Sequence, residues 1–338
     1  MRAAVLYRPG DVRVEAVTKP QIKPDHALVR IAACGVCGSD IPRVLIKGAH
    51  KLPIICGHEF SGQIAELGER MEGWRVGELV TVPPLIPCGT CEQCLRGVPS
   101  RCEDYDYFGS RRDGAYTEFA LVPKTNLLRV PAGISPETAA LTDPAAIALH
   151  ALMKTGLSAG QTFAVVGCGA IGLFAIQWAK MMGASRIVGV DIEKEAIDLA
   201  MIAGADAGFY DPASDYERQK FDVVLEAAGA RSSINTAIRL VRPGGEAVFI
   251  GIPTADVLIE LPTFEHLLRQ EVKLHGSWNS FSAPFPGREW HATLHAFSKG
   301  TLRTDFFITH RLDIAELPAT FEKLRTRAEF SSKILFHA

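Results

Sequence analysis

Apolar residues change their period along this chain near residue 136. Before it, short β-branched runs at 27–32, 54–56, 62–66 and 78–82 are separated by Gly and Pro, the pattern of short strands joined by turns. Beyond it a helical stretch carries Ala139, Leu141, Ala146 and Leu149, and strands then alternate with helices. The predicted series is strand 162–166, helix 170–182, strand 186–190, helix 194–203, strand 221–225, helix 232–240, strand 246–250 and a last strand 273–277. Such alternation requires parallel strands with right-handed helical crossovers, so the fold class is α/β, a doubly wound sheet preceded by a β-rich half. After about residue 284 the alternation stops, and the tail is expected to return to the first half. There is no internal repeat and no low-complexity tract.

A length of 338 residues suggests two cores. The net charge of -2 shows no basic excess for a nucleic acid or an anionic membrane. No apolar run reaches the ~18 residues of a membrane span, and the first ten residues are too short in apolar character for a secretory signal. A cytoplasmic protein acting on a small molecule is therefore expected, with reduced cysteines.

Four of the eight cysteines, Cys88, Cys91, Cys94 and Cys102, follow C-x2-C-x2-C-x7-C spacing. Pro87, Gly89 and Gly97 supply the bends of a tight loop, and four thiolates converging there suit a tetrahedral Zn²⁺ with no open position, a structural site. Two disulfides, or four unrelated thiols, are the alternative.

In the second half Gly167, Gly169 and Gly172 form G-x-G-x-x-G directly after an apolar strand and at the start of a helix. The first glycine permits the turn, the second lets backbone approach a pyrophosphate, and the third allows the helix to pack on the strand. Asp191, nineteen residues after Gly172, ends the next strand, where a carboxylate accepts hydrogen bonds from ribose hydroxyls and repels a 2′-phosphate. NAD is thus expected over NADP. Ile171, Gly251 and Ser277 complete the candidate cofactor contacts, and Lys194 is read as a solvated charge.

Upstream, Cys37 and the pair His58 and Glu59 offer a thiolate, an imidazole and a carboxylate on two loops about 20 residues apart. Each alone reads as core or as an ordinary hydrogen-bonding residue. Beside a nicotinamide-type fold they make a candidate catalytic zinc site, with three protein ligands and one position left for water or substrate.

With CGSD at 37–40, GHEFSG at 57–62, the cysteine quartet and VVGCGAIG at 165–172 in this order, the chain resembles zinc-dependent medium-chain alcohol and polyol dehydrogenases over essentially its whole length. GSDIPR at 38–43, KGAHKLP at 47–53, GSRRDGAYTEF at 109–119 and GSWNSFSAPFPGREW at 276–290 are similar to the branch acting on galactitol 1-phosphate. The resemblance implies a GroES-like catalytic domain over 1–146 carrying both zinc sites, a Rossmann NAD-binding domain over 147–284, and a return to the catalytic domain over 285–338. It implies two zinc ions and one NAD per subunit, a homodimer or homotetramer, and oxidation of a secondary alcohol of a polyol or polyol phosphate. Cys37 and His58 become zinc ligands, and Glu59 a carboxylate that binds the metal directly or through its water. Asp143 stands where polyol enzymes carry a glutamate ligand; being one methylene shorter, it pulls its loop inward, binds through water, yields to Glu59, or simply caps the helix at Pro144. Ser39 matches the hydroxyl that takes the substrate proton. Pro42 stands where many relatives hold a relaying histidine, and proline cannot relay. Arg43, Lys47, Arg111, Arg112 and Arg288 are candidates for a phosphate pocket or else solvated charges, and Trp278 either reaches the substrate or packs. Dehydrogenases of neutral polyols, butanediol or threonine share the scaffold, and a non-catalytic nicotinamide-binding module is the reading from another class.

Overall fold

The computed structural model describes residues 1–210, 219–326 and 328–338. Contacts divide the chain into two units, one of Met1–Asp143, Phe281–Thr304 and Ile308–Ala338, the other of Pro144–Ser280 and Asp305–Phe307.

The second unit is the predicted doubly wound sheet. Its six strands are parallel, in the order Ala207–Phe209, Arg186–Val190, Thr162–Val166, Phe221–Glu226, Val241–Phe249, Lys273–Gly276. The first strand in sequence lies in the middle, so the chain reverses its winding direction beside it, and loops at the carboxyl ends diverge there into a crevice. Strand Thr162–Val166 is buried from Phe163 onward, as an inner parallel strand covered on both faces must be. Helix Ala170–Met181 covers it with Leu173, Phe174, Ile176 and Trp178, and helix Lys194–Ala203 ends on Gly204 in the left-handed region at φ 111°. Strand Val241–Phe249 begins five residues before the sequence pattern suggests, because Val241 pairs with Phe221 across an irregularity ahead of the regular register from Val223 and Glu246.

The first unit is built around the ten-residue strand His26–Gly35. One edge pairs antiparallel with Glu59–Leu67; the other pairs with Phe119–Pro123 at its beginning and with Lys333–His337 at its end. Gly35 consequently lies opposite Glu59 on one side and Leu335 on the other. A second sheet joins Arg2–Arg8, Asp11–Ala16 and Ile54–Ile55. The unit's largely aliphatic core contains aromatic pairs: Phe60 meets Phe108 edge-on at 5.5 Å, and Tyr116 meets Phe336 at 5.4 Å. The stretch Phe281–Thr304, braced internally by Trp290 stacked on Phe281, joins this unit through Ser100, whose hydroxyl donates to Phe281 O at 2.7 Å and accepts from Phe281 N at 2.8 Å.

Candidate active site

The cysteine quartet closes into one cluster. All four sulfurs lie within 4.8 Å of one another, with Cys88 and Cys102 at 3.5 Å and Cys91 and Cys102 at 3.9 Å, and none is in a disulfide. A tetrahedron of ~2.3 Å metal–sulfur bonds has edges of about 3.8 Å, so the spacing fits Zn²⁺ and excludes the two-disulfide reading. Backbone amides assist: Thr90 N and Cys91 N point at Cys88 Sγ at 3.5 and 3.3 Å and lower its pKa to about 6, which favours the thiolate a metal needs. Burial instead pushes Cys94 up to about 12, an unfavourable position for a thiol unless a cation shares it.

Cys37, His58 and Glu59 form the second cluster, their ligand atoms within 4.8 Å. Strand Glu59–Leu67 delivers Glu59 beside the end of His26–Gly35, and the turn following that strand supplies Cys37. Ser39 Oγ donates to Cys37 Sγ at 3.3 Å, and Ser39 N approaches the same sulfur at 3.5 Å. His58 is buried, and its Nδ1 has no hydrogen-bond partner; Asp40 Oδ1 stands 3.5 Å away, an ion-pair contact rather than a bond. Burial acts against a charged His58, yet Asp40 and Cys37 hold its pKa well above the ordinary value. A place that attracts a proton so strongly among anions is a place that attracts a metal cation.

Asp40 is the residue that sequence reasoning quoted without assigning it work. Fully buried, it pairs with Arg43 and accepts from Tyr116 Oη at 2.8 Å and from Cys37 N at 3.3 Å. Burial would raise its carboxyl, but His58, Arg43 and Tyr116 together take it far below the usual carboxylate range. It is an anion in ion-pair contact with the His58 imidazole. Its position three residues after a candidate thiolate was a usable signal.

Asp143 lies outside the three-residue cluster. It sits in the first turn of helix Thr142–Leu152, 2 % exposed, with neither carboxylate oxygen hydrogen-bonded, so it does not cap that helix. Burial pushes its pKa up to about 7, with His58 and Lys333 pulling down and Glu59 pushing up. Two orphaned buried oxygens in the field of His58 and Glu59 fit a place that would hold a cation. The donor set of sulfur, nitrogen and oxygen fits zinc. Tyr107 and Lys333, neither foreseen, join this neighbourhood: the Tyr107 ring meets His58 at 5.7 Å, and Lys333 pairs with Glu59.

In the second unit the glycine turn has its expected form. A Cβ on Gly172 would lie 2.1 Å from Gly167 O, whereas one on Gly169 would meet nothing within 4 Å, leaving backbone open to a ligand. Asp191 braces the turn, its Oδ2 accepting from Cys168 N at 2.7 Å and its Oδ1 from Glu193 N at 3.0 Å. Ile171 is half-buried in the first turn of the helix. Gly251 is a packing glycine, since a Cβ there would meet Gly229 N at 2.2 Å. Ser277 N donates to Phe249 O at 3.0 Å, and its buried hydroxyl has no partner. Lys194 pairs with Asp198.

Of the candidate phosphate-binding cations, Arg43 is engaged by Asp40, Arg112 by Asp106 at 2.8 Å, and Arg111 lies 4.4 Å over the Tyr105 ring. Lys47 and Arg288 are exposed, as is Trp278 at 52 %.

Comparison with known proteins agrees with this layout. Residues 23–132 match the alcohol dehydrogenase GroES-like domain and residues 170–298 the zinc-binding dehydrogenase domain. Galactitol 1-phosphate 5-dehydrogenase of Escherichia coli K12 is 35 % identical over 92 % of each chain, and sorbitol dehydrogenase of Bombyx mori 31 % identical over 99 % of this chain and 98 % of its own. The crystal structure of galactitol-1-phosphate dehydrogenase from Escherichia coli superimposes over 100 % of both chains with a TM-score of 0.94 at 33 % identity.

Proposed function

Because this chain belongs to the family of zinc-dependent alcohol and polyol dehydrogenases, we propose that it oxidises a secondary alcohol of a polyol phosphate resembling galactitol 1-phosphate to the ketose phosphate, reversibly and with NAD. The observation that carries the chemistry is the cluster of Cys37, His58 and Glu59, with their ligand atoms within 4.8 Å and the unpartnered carboxylate of Asp143 nearby. When bound, zinc supplies Lewis acidity to the substrate hydroxyl and the nicotinamide accepts the hydride. Cys37, His58 and Glu59 would hold the metal, Asp40 would keep His58 oriented, and the Asp143 carboxylate would stand nearby without filling the position left for substrate. Ser39 Oγ, next to Cys37 Sγ, receives the substrate's hydroxyl proton. Pro42 passes nothing on, so the proton leaves through water or the cofactor ribose.

The phosphate preference is supported by the likeness to galactitol 1-phosphate 5-dehydrogenase and by Lys47 and Arg288, which remain exposed. A neutral polyol is the second reading, favoured because Arg43 and Arg112 are already ion-paired. NAD over NADP rests on Asp191. Association with a second copy fits the edge strand Lys273–Gly276 and the apolar stripe of Leu261, Phe264 and Leu268 on the neighbouring helix, 72 %, 46 % and 61 % exposed. Eight cysteines without a disulfide, five of them read here as zinc ligands, suit the cytoplasm.

Turnover of galactitol 1-phosphate, galactitol, sorbitol and L-threonine with NAD and NADP tests the reading. Charge-assisted hydrogen bonds to phosphate should raise kcat/KM for galactitol 1-phosphate roughly 100-fold over galactitol. Equal efficiency on the two would refute the phosphorylated substrate. Retained turnover in Cys37→Ala would refute the metal assignment.

A further inference from the structure

Lys333 opens the strand Lys333–His337, and its side chain is 3 % exposed. The ammonium forms an ion pair with Glu59 Oε2, on a side chain likewise 3 % exposed, and donates to Val36 O at 3.1 Å. Strand register creates this pair, because Gly35 stands between the strand carrying Glu59 and the strand carrying Lys333. A Cβ on Gly35 would lie 2.2 Å from Glu59 Oε2 and 2.9 Å from Lys333 Cε, so the bare glycine is the space the pair occupies.

A pair that served folding alone would have no reason to end on a carboxylate clustered with Cys37 and His58. We propose that Lys333 is a positioning residue for the catalytic metal: it occupies Oε2 of Glu59, so the carboxylate has one oxygen to offer and a coordination position stays open for substrate. The inference rests on Cys37, His58 and Glu59 being the metal ligands. Without the ammonium, Glu59 is free to chelate through both oxygens, and a cation that repels the metal is gone. Loss of Lys333 therefore tightens the hold on the metal while closing the site, the reverse of what a damaged scaffold does.

Cobalt in place of zinc makes the coordination visible. In Lys333→Met the visible d–d bands should weaken and shift as the coordination number rises, and loss of cobalt to a chelator should slow by about 10-fold, the lower end of what removing a residue behind a metal ligand does to affinity. Lys333→Arg should restore both. A folded Lys333→Met protein with the parent's bands, or one that surrenders metal faster, overturns the proposal. If that variant does not fold, the uncharged pair Lys333→Met/Glu59→Gln carries the test: its bands should match those of Glu59→Gln alone, and a mismatch overturns the idea that Lys333 acts through Glu59. A parent enzyme that takes cobalt only at the four cysteines would instead refute the ligand set, and the role of Lys333 with it.

Discussion

Asp143→Asn tests the electrostatic account of the site in protein lacking the catalytic metal. The Asp143 carboxyl is raised by burial to about 7 from an ordinary 3.8. Between these values the folded chain keeps a proton that the unfolded chain has released, so the unfolded state binds fewer protons and stability falls as pH rises. At about 1.36 kcal/mol per pH unit over roughly three units, the loss approaches 4 kcal/mol, present in full above the folded pKa and absent below the unfolded one. Asparagine has no charge to bury, so its curve lacks this component. Both proteins, brought by chelation to one zinc per subunit and checked by metal analysis, should be unfolded with urea from pH 4 to pH 8. The stability difference in favour of Asp143→Asn should grow across that window, and saturating zinc should abolish it, because a bound cation removes the cost of the charge. Parallel pH curves for the two metal-depleted proteins would refute the reasoning.

Other expectations follow from individual contacts. Asp191→Ala should lower the preference for NAD over NADP by about 10-fold, or ~1.4 kcal/mol, in steady-state kinetics; an unchanged ratio would mean that another residue reads the ribose. Gly172→Ala places a methyl 2.1 Å from Gly167 O, so the helix must shift at a cost of about 1–3 kcal/mol, with weaker NAD binding by titration and a lower melting temperature; unaltered cofactor affinity would contradict the packing role. Cys94→Ser should remove one zinc per subunit and lower the unfolding midpoint, while zinc content equal to the parent's would dissolve the four-sulfur site. Leu268→Glu should shift the protein toward monomer in sedimentation velocity, and an unaffected assembly would clear this face of any role in it.

The doubly wound sheet was legible because each of its features is local: apolar runs of strand length, a glycine turn at a strand-to-helix boundary, and an aspartate at the end of the next strand. The cysteine quartet was legible for the same reason. Asp40 and Arg43 were only half legible, since their motif was visible but their pairing was not. Lys333 was beyond reach, because a lysine opening the run Lys-Ile-Leu-Phe-His reads as the exposed start of a strand. Its burial depends on the pairing of that strand with His26–Gly35, about three hundred residues away in sequence. The surroundings of the candidate phosphate-binding arginines were illegible for a similar reason: that Asp40 pairs with Arg43 and Asp106 with Arg112 is set by side-chain placement, which spacing along the chain does not encode.

The reciprocal hydrogen bonds between Ser100 and Phe281, with Ala283 N donating to Gly97 O at 3.2 Å, fasten the re-entering strap to the cysteine loop. A lobe assembled from three separated stretches of chain has its weakest seam where a stretch arrives from elsewhere, and here that seam is riveted by the metal knot. Stripping the four-sulfur ion would therefore expose the arriving strap to a protease before the sheets behind it loosened.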